Sequence, residues 1–311
     1  MAWLAAAMIA CGSVVLTPWA LPVAVAIHIV CAIDSYRVAA ASPRPLRVLH
    51  PMVGLVTGCG IAYALVLRGF VVEAFRIPSS SMHPTLQIGD HLLVDKLSPR
   101  WRAISRGELI VYSDPCTSTR SYVKRVAAVG GDTVEIRCNV LYVNGAAIPS
   151  TPLQTSCAYQ DYDDLRDTWY ERTCSRYHEV QNGHSYDVLH DPDRPNRDAN
   201  LATLTEGDSR DFPQSRAPSC ANTGNGSANA DQILGKVVAT EVAPNEGPCK
   251  PQLHYVVPAD HLFVLGDHRN NSNDSRVWGA VPVANVIGRV HLIWLSRGAN
   301  GIDWSRVGVV E

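Results

Sequence analysis

At 311 residues, 46% of them apolar and 18% charged, the chain is too apolar for disorder and long enough for one large or two ordinary domains. A net charge of -2 and the absence of any Lys/Arg-rich run exclude a nucleic-acid partner that works by electrostatic attraction. With no CxxC pair and no HExxH, no metal is expected.

In chain order the membrane comes first. Residues 1–33 carry no Asp, Glu, Lys or Arg, and neither do residues 51–67, PMVGLVTGCGIAYALVL. The second stretch is close to the ~20 apolar residues that cross ~30 Å of hydrocarbon. The reading is one kinked helix or a short hairpin over 1–33, broken at Pro18 and Pro22, and a transmembrane helix over 51–69. A cleaved leader fits poorly, since the basic n-region is missing. Arg37, Arg44 and Arg47 place the 34–50 loop in the cytoplasm by the positive-inside rule, so everything beyond about Phe70 lies outside it.

The exported part reads as mainly β. HLLVDKL, GELIVYS, SYVKRVAAV, DTVEIRC and VLYVNGAAI are short, rich in Val, Ile and Tyr, and separated by Gly-Asp, Gly-Gly-Asp and Asn-Gly signals. Asn144-Gly145 suits a type I′ hairpin, which needs positive φ at both central residues. The predicted core is 70–150 with 252–311, an antiparallel β-sheet domain. Between its halves, 151–251 is an inserted polar β/loop subdomain, poor in aliphatics and rich in Asp, Asn and Arg. Six cysteines lie in this exported part: Cys116, Cys138, Cys157, Cys174, Cys220 and Cys249. An even number suits an oxidising compartment, and Cys157 with Cys174 is the first pairing expected.

Three segments carry chemistry. PSSSMHPTL, residues 78–86, sets three serines between prolines directly after the membrane stretch. A serine hydroxyl attacks only when a base takes its proton. Of the four lysines, Lys124 alone stands in a long apolar run, where burial lowers the amine's pKa; a solvent-facing strand lysine is the plainer reading. GDHRNNSNDSR, residues 266–276, is polar between apolar runs, either a surface loop or a device in which Asp274 pairs with Arg276 while Ser272 or Ser275 orients an amine. A Ser/His/Asp triad from Ser81, His268 and Asp274, or with His83 or His91, is the rival.

FRIPSSSMHPTLQIGDHLLVDK, YVKRVAAVGGD and GDHRNNSNDSRVWGAVPVANVIGRV, in this order and after a transmembrane stretch, resemble bacterial type I signal peptidase, the S26 family of membrane-anchored Ser/Lys leader peptidases. The resemblance implies a signal-peptidase-like β fold and a cofactor-free serine endopeptidase. It would cleave signal peptides from exported pre-proteins after small residues at -3 and -1. It implies Ser81 as nucleophile, Lys124 as general base, and Ser79 helping the Ser81 N–H to form the oxyanion hole. Ser272 orients the lysine, Asp274 and Arg276 fix the loop, and Phe75, Ile77, Met82, Leu86, Tyr122 and Val123 line the substrate pockets. Ser80 stands where the family often has glycine and is given no chemistry. His268 and Asn270 depart from the commoner Asn and Asp. The implied location is the bacterial inner membrane, multi-pass, with the catalytic domain on the periplasmic side and membrane lipid and the translocation machinery as neighbours. Two other functions fit: a dedicated pilin or conjugation processing peptidase of the same chemistry, and a catalytically silent, membrane-tethered domain for peptide binding or assembly.

Overall fold

The computed structural model describes residues 67–117, 119–199, 211–214, 217–223, 235–240 and 253–310, with Ile33, Arg37 and Gly60. The expected transmembrane segments at 1–33 and 51–69, apart from their last few residues, the 34–50 loop and Cys249 lie outside these residues. Among the described residues no helix is long and apolar enough to cross a membrane. Val71–Glu311 forms one compact unit.

Its strands, in chain order, are β1 (Val72–Arg76), β2 (Asp90–Asp95), β3 (Leu109–Ser113), β4 (Ser121–Val129), β5 (Thr133–Arg137), β6 (Val140–Val143), β7 (Ala146–Ala147), β8 (Ser150–Asp163), β9 (Thr168–Gln181), β10 (His184–His190), β11 (Lys236–Ala239), β12 (Leu253–Val256), β13 (His261–Leu265), β14 (Val281–Pro282), β15 (Val286–Gly298), β16 (Gly301–Ile302) and β17 (Gly308–Val309). Among the described residues three short α-helices interrupt them, α1 (Ser98–Trp101), α2 (Arg194–Ala199) and α3 (Ser275–Trp278). The main sheet runs β1-β2-β15-β3-β4-β13-β14, with β16 and β17 against β15; a second runs β11-β12-β5-β6-β7, and a third β10-β9-β8. The ladders are antiparallel, as a mainly-β reading requires.

Alternation in the strands explains where the core sits. Ala128, Phe263 and Leu265 of the main sheet share one apolar cluster with Val134, Leu141 and Tyr255 of the second, which fastens the two sheets together. A separate cluster gathers Ile77, Met82, Leu86, Leu92, Val94, Leu109, Val111, Val290 and Ile293. Met82 and Leu86 are 1% and 0% exposed, and burying side chains of this size contributes roughly 1.5–3 kcal/mol each. They anchor the segment that follows β1. Asn144 and Gly145 join β6 to β7 with φ of 53° and 75°, the two positive values that the Asn-Gly signal anticipates.

The 151–251 region contains more strand than its composition suggests. β8 and β9 are 14 residues each and pair over nearly their whole length. The first half of β8, Thr151–Ser156, is exposed on both faces, so no apolar alternation marks it. Cys157 pairs with Cys174 across this ribbon, and Cys116 pairs with Cys220 over a separation of 104 residues. Cys138 is disulfide-bonded as well. Lys236–Ala239, inside the 151–251 stretch read as an inserted subdomain, supplies β11 to the second sheet, where Lys236 faces Val256.

Candidate active site

The nucleophile segment is built by anchoring on both sides. Backbone bonds between Ile77 and the Gly89–Asp90 turn, both 2.9 Å, extend the line of β1 past its end. A single 3-10 turn, Ser80–Met82, follows, with Met82 held in the core below. Ser79, extended at φ -134° and ψ 159°, makes no capping bond, which leaves its hydroxyl available 3.4 Å from that of Ser81.

Lys124 comes from the middle of β4, opposite Ile110 on β3. Its amine lies 2.6 Å from Ser81 Oγ. The side chain is 3% exposed, and burial pulls the amine from its ordinary 10.5 to about 8 against the attraction of Asp274 and Asp267, with Arg276 helping to lower it. An amine at 8 is neutral in roughly a tenth of molecules at pH 7, against about 0.03% for an unshifted one. The geometry is that of a hydroxyl facing a base.

Asp274 is fully buried and holds Arg276 through two 2.8 Å bonds, while its carboxylate accepts from Gly266 N–H at 3.0 Å. Burial raises its pKa, but Arg276, that N–H and Lys124 outweigh it and leave the carboxyl below its usual range. Ser272 has its hydroxyl buried, without a hydrogen-bond partner among the described residues. It packs against Gly266, where an added Cβ would stand 2.2 Å from Ser272 Oγ and 2.5 Å from the Ser81 carbonyl oxygen. Ser275, the other hydroxyl considered for the amine, instead accepts from Val264 N–H at 3.0 Å.

The pocket residues divide between two faces. Phe75, Ile77, Met82, Leu86 and Val123 share the cluster beside the nucleophile. Tyr122, adjacent to Val123 on one strand, therefore faces the other way and stacks on Trp278 at 5.1 Å.

The histidine rival finds no geometry. His268 meets Ser81 only through its backbone N–H, which donates to the Ser81 carbonyl at 3.1 Å. Neither of its ring nitrogens has a hydrogen-bond partner among the described residues, and Asp274 is committed to Arg276. His83 and His268 both pack on the Tyr159 ring, at 5.1 Å each. Burial, assisted by Arg306 for His83 and by Arg172 for His268, lowers each from 6.5 to about 4. Both are neutral at pH 7. As pH falls from 6.5 towards 4 the unfolded chain takes up these protons first, so stability falls across that window, by roughly 3 kcal/mol for each ring. The melting temperature of His268→Asn is expected to fall less steeply between pH 7 and 4 than that of the parent; parallel curves would refute this.

The sequence reading missed a second buried ion pair next to the base. Arg125 grips Asp267 through two 2.8 Å bonds and reaches the Gly107 carbonyl, and Thr85 donates to the same carboxylate at 2.5 Å. An arginine inside an apolar β run was the available signal.

Comparison with known proteins identifies the family of the chain. A signal peptidase I from Pseudomonas aeruginosa is 27% identical over 282 residues, covering 79% of this chain and 74% of the relative. One from Aquifex aeolicus is 29% identical over 239 residues, covering 76% and 80%. A signal peptidase I crystal structure from Enterococcus faecalis V583 is 20% identical and covers 60% of this chain and 97% of its own at a TM-score of 0.26. The family described as signal peptidase, peptidase S26, matches residues 52–295, and the chain belongs to that family.

Proposed function

We propose that Ser81 and Lys124 perform the family's reaction, the hydrolysis by a serine endopeptidase that removes signal peptides from exported pre-proteins. The observation that carries this is the 2.6 Å approach of a buried amine to a serine hydroxyl. The neutral amine takes the Ser81 proton as Oγ attacks the scissile carbonyl. The Ser81 N–H and Ser79 hydroxyl donate to the oxyanion, an interaction typically worth about 3–4 kcal/mol of barrier. Lys124 then protonates the leaving amine, which frees the mature N-terminus, and deprotonates the water that releases the signal peptide. We assign Ser272, with its buried unpaired hydroxyl, to orienting the amine, and Asp274 with Arg276 to fixing the loop that bears it.

Substrate binding follows from the strand edges. β3 pairs with Ser121–Lys124 on one side, whereas on the other β13 begins its pairing at Arg125. An extended substrate can add there by backbone hydrogen bonds. Its alternate side chains would then meet the pockets of Phe75, Ile77, Met82, Leu86 and Val123, with Tyr122 contributing backbone, so that small residues at -3 and -1 are selected. The transmembrane anchor, the inner-membrane location and contact with lipid or the translocation machinery belong to this proposal through the apolar stretches at 1–33 and 51–69. Incubated with a pre-protein that ends its signal peptide in Ala-x-Ala, the purified protein is expected to cut after the second Ala. Ser81→Ala is expected to abolish the cut, and Phe at -1 to reduce it at least about 100-fold. Undiminished cleavage by Ser81→Ala refutes the assignment.

A further inference from the structure

Ser80 sits between the oxyanion serine and the nucleophile, and it points the other way. It is 3% exposed, and its hydroxyl accepts from Asn271 Nδ2 at 2.9 Å. A hydroxyl also has one proton to give, and it faces the Asp161 carboxylate on β8, whose pKa it helps to lower. Although burial raises the Asp161 carboxyl, the Ser80 hydroxyl, the Tyr162 N–H and Arg172 together hold it below the usual carboxylate range. Asn271 immediately precedes Ser272 in the loop that faces the lysine. Two residues from Asp161, on the same strand face, Tyr159 packs against His83 of the nucleophile segment and His268 of the loop. The β8–β9 ribbon therefore reaches both catalytic segments, through the Tyr159 ring on His83 and His268 and through Asp161 facing Ser80, which in turn holds Asn271 of the loop.

We propose that Ser80 is a positioning residue: through Asp161 and Asn271 it clasps the inserted ribbon, the Ser81 turn and the 266–276 loop into one rigid unit around the dyad. The proposal rests on the Ser81/Lys124 reading and extends it. It gives a function to the ribbon, which supplies none of the reacting groups, and to the one serine of the triplet without chemistry. Should the clasp open, the turn loosens, water reaches Lys124, and the amine regains part of its ordinary basicity. Asp274 and Asp267, the charges that already favour its ammonium form, then act without the opposing effect of burial, while Arg276 still opposes them.

The test is steady-state cleavage from pH 6 to 10 by the full chain and by Ser80→Ala, Asp161→Asn and the double variant, each normalised to active sites counted with a covalent serine-directed inhibitor. Ser80→Ala is expected to lower kcat about 10-fold with KM within about 2-fold. The apparent pKa on the acid limb of kcat/KM should move upward from about 8. Asp161→Asn is expected to do the same, and the double variant to be no worse than either single one, because one chain is cut twice. A parent-like kcat and apparent pKa in Ser80→Ala, a loss that vanishes on normalisation, or losses that multiply in the double variant would each overturn the clasp. Ser81→Ala and Lys124→Ala, run alongside, report on the dyad itself: with both inactive, a parent-like Ser80→Ala removes the clasp and leaves the dyad standing.

Discussion

Lys124→Met is expected to lose at least about 1,000-fold in kcat and to fold more stably than the parent at pH 7. The rate loss follows from removing the amine positioned to take the Ser81 proton, since general-base and nucleophile activation together are typically worth this much. The stability gain has a different origin. Burial lowers the amine from 10.5 to about 8, which means that desolvation outweighs the attraction of Asp274 and Asp267. Below pH 8 both folded and unfolded chains hold the proton, and the folded state bears the full cost of a buried cation. Between 8 and 10.5 the folded chain releases it first, so the cost disappears as pH rises. The gain in the variant should be about 1–3 kcal/mol at pH 7 and should shrink towards pH 10, read by denaturant unfolding at the two values. A variant no more stable than the parent at pH 7 would mean that the amine is not buried at a cost.

Gly266→Ala is the second large effect, expected at about 100-fold in kcat with a destabilisation of about 1–3 kcal/mol. A Cβ there would stand 2.2 Å from Ser272 Oγ, 2.4 Å from Ser272 Cβ and 2.5 Å from the Ser81 carbonyl oxygen. None of these atoms belongs to the free end of a long side chain, so none yields cheaply. The Ser81 carbonyl already accepts from His268 N–H at 3.1 Å, and displacing it moves the nucleophile's own backbone. The substitution thus strikes Ser81 and Ser272 at once without altering a reacting group. Cleavage and unfolding measured on the same preparation separate the two losses; parent-like activity would show that the segment adapts.

The residues alone left a solvent-facing Lys124 as the plainer reading; the motif resemblance joined it to Ser81, and the structure brings the amine to 2.6 Å from that hydroxyl. A lysine in YVKRVAAV must either reach solvent or lose basicity, and serines held between prolines have restricted backbones. The strands were legible where apolar residues run almost unbroken and are buried on both faces, as in β3, β4 and β13, and the hairpin at Asn144-Gly145 was legible from turn stereochemistry alone. The β8–β9 ribbon was not, because a strand exposed on both faces has no periodicity to read. Ser80 was passed over for a related reason. Its partners, Asn271 and Asp161, lie 191 and 81 positions away, and no pattern around it announces them. Tyr122 shows the limit of motif reading: adjacent strand residues point oppositely, so membership of one sequence block does not place two side chains in one pocket.

The Lys124 amine is poised to lose its proton near pH 8 because protein encloses it. With only four lysines in the chain, Lys96, Lys124, Lys236 and Lys250, their ε-carbons labelled with 13C can be followed individually by NMR as pH is raised. One resonance is expected to titrate near 8, to be missing from Lys124→Met and to be retained in Ser81→Ala. All four titrating above about 10 would contradict it.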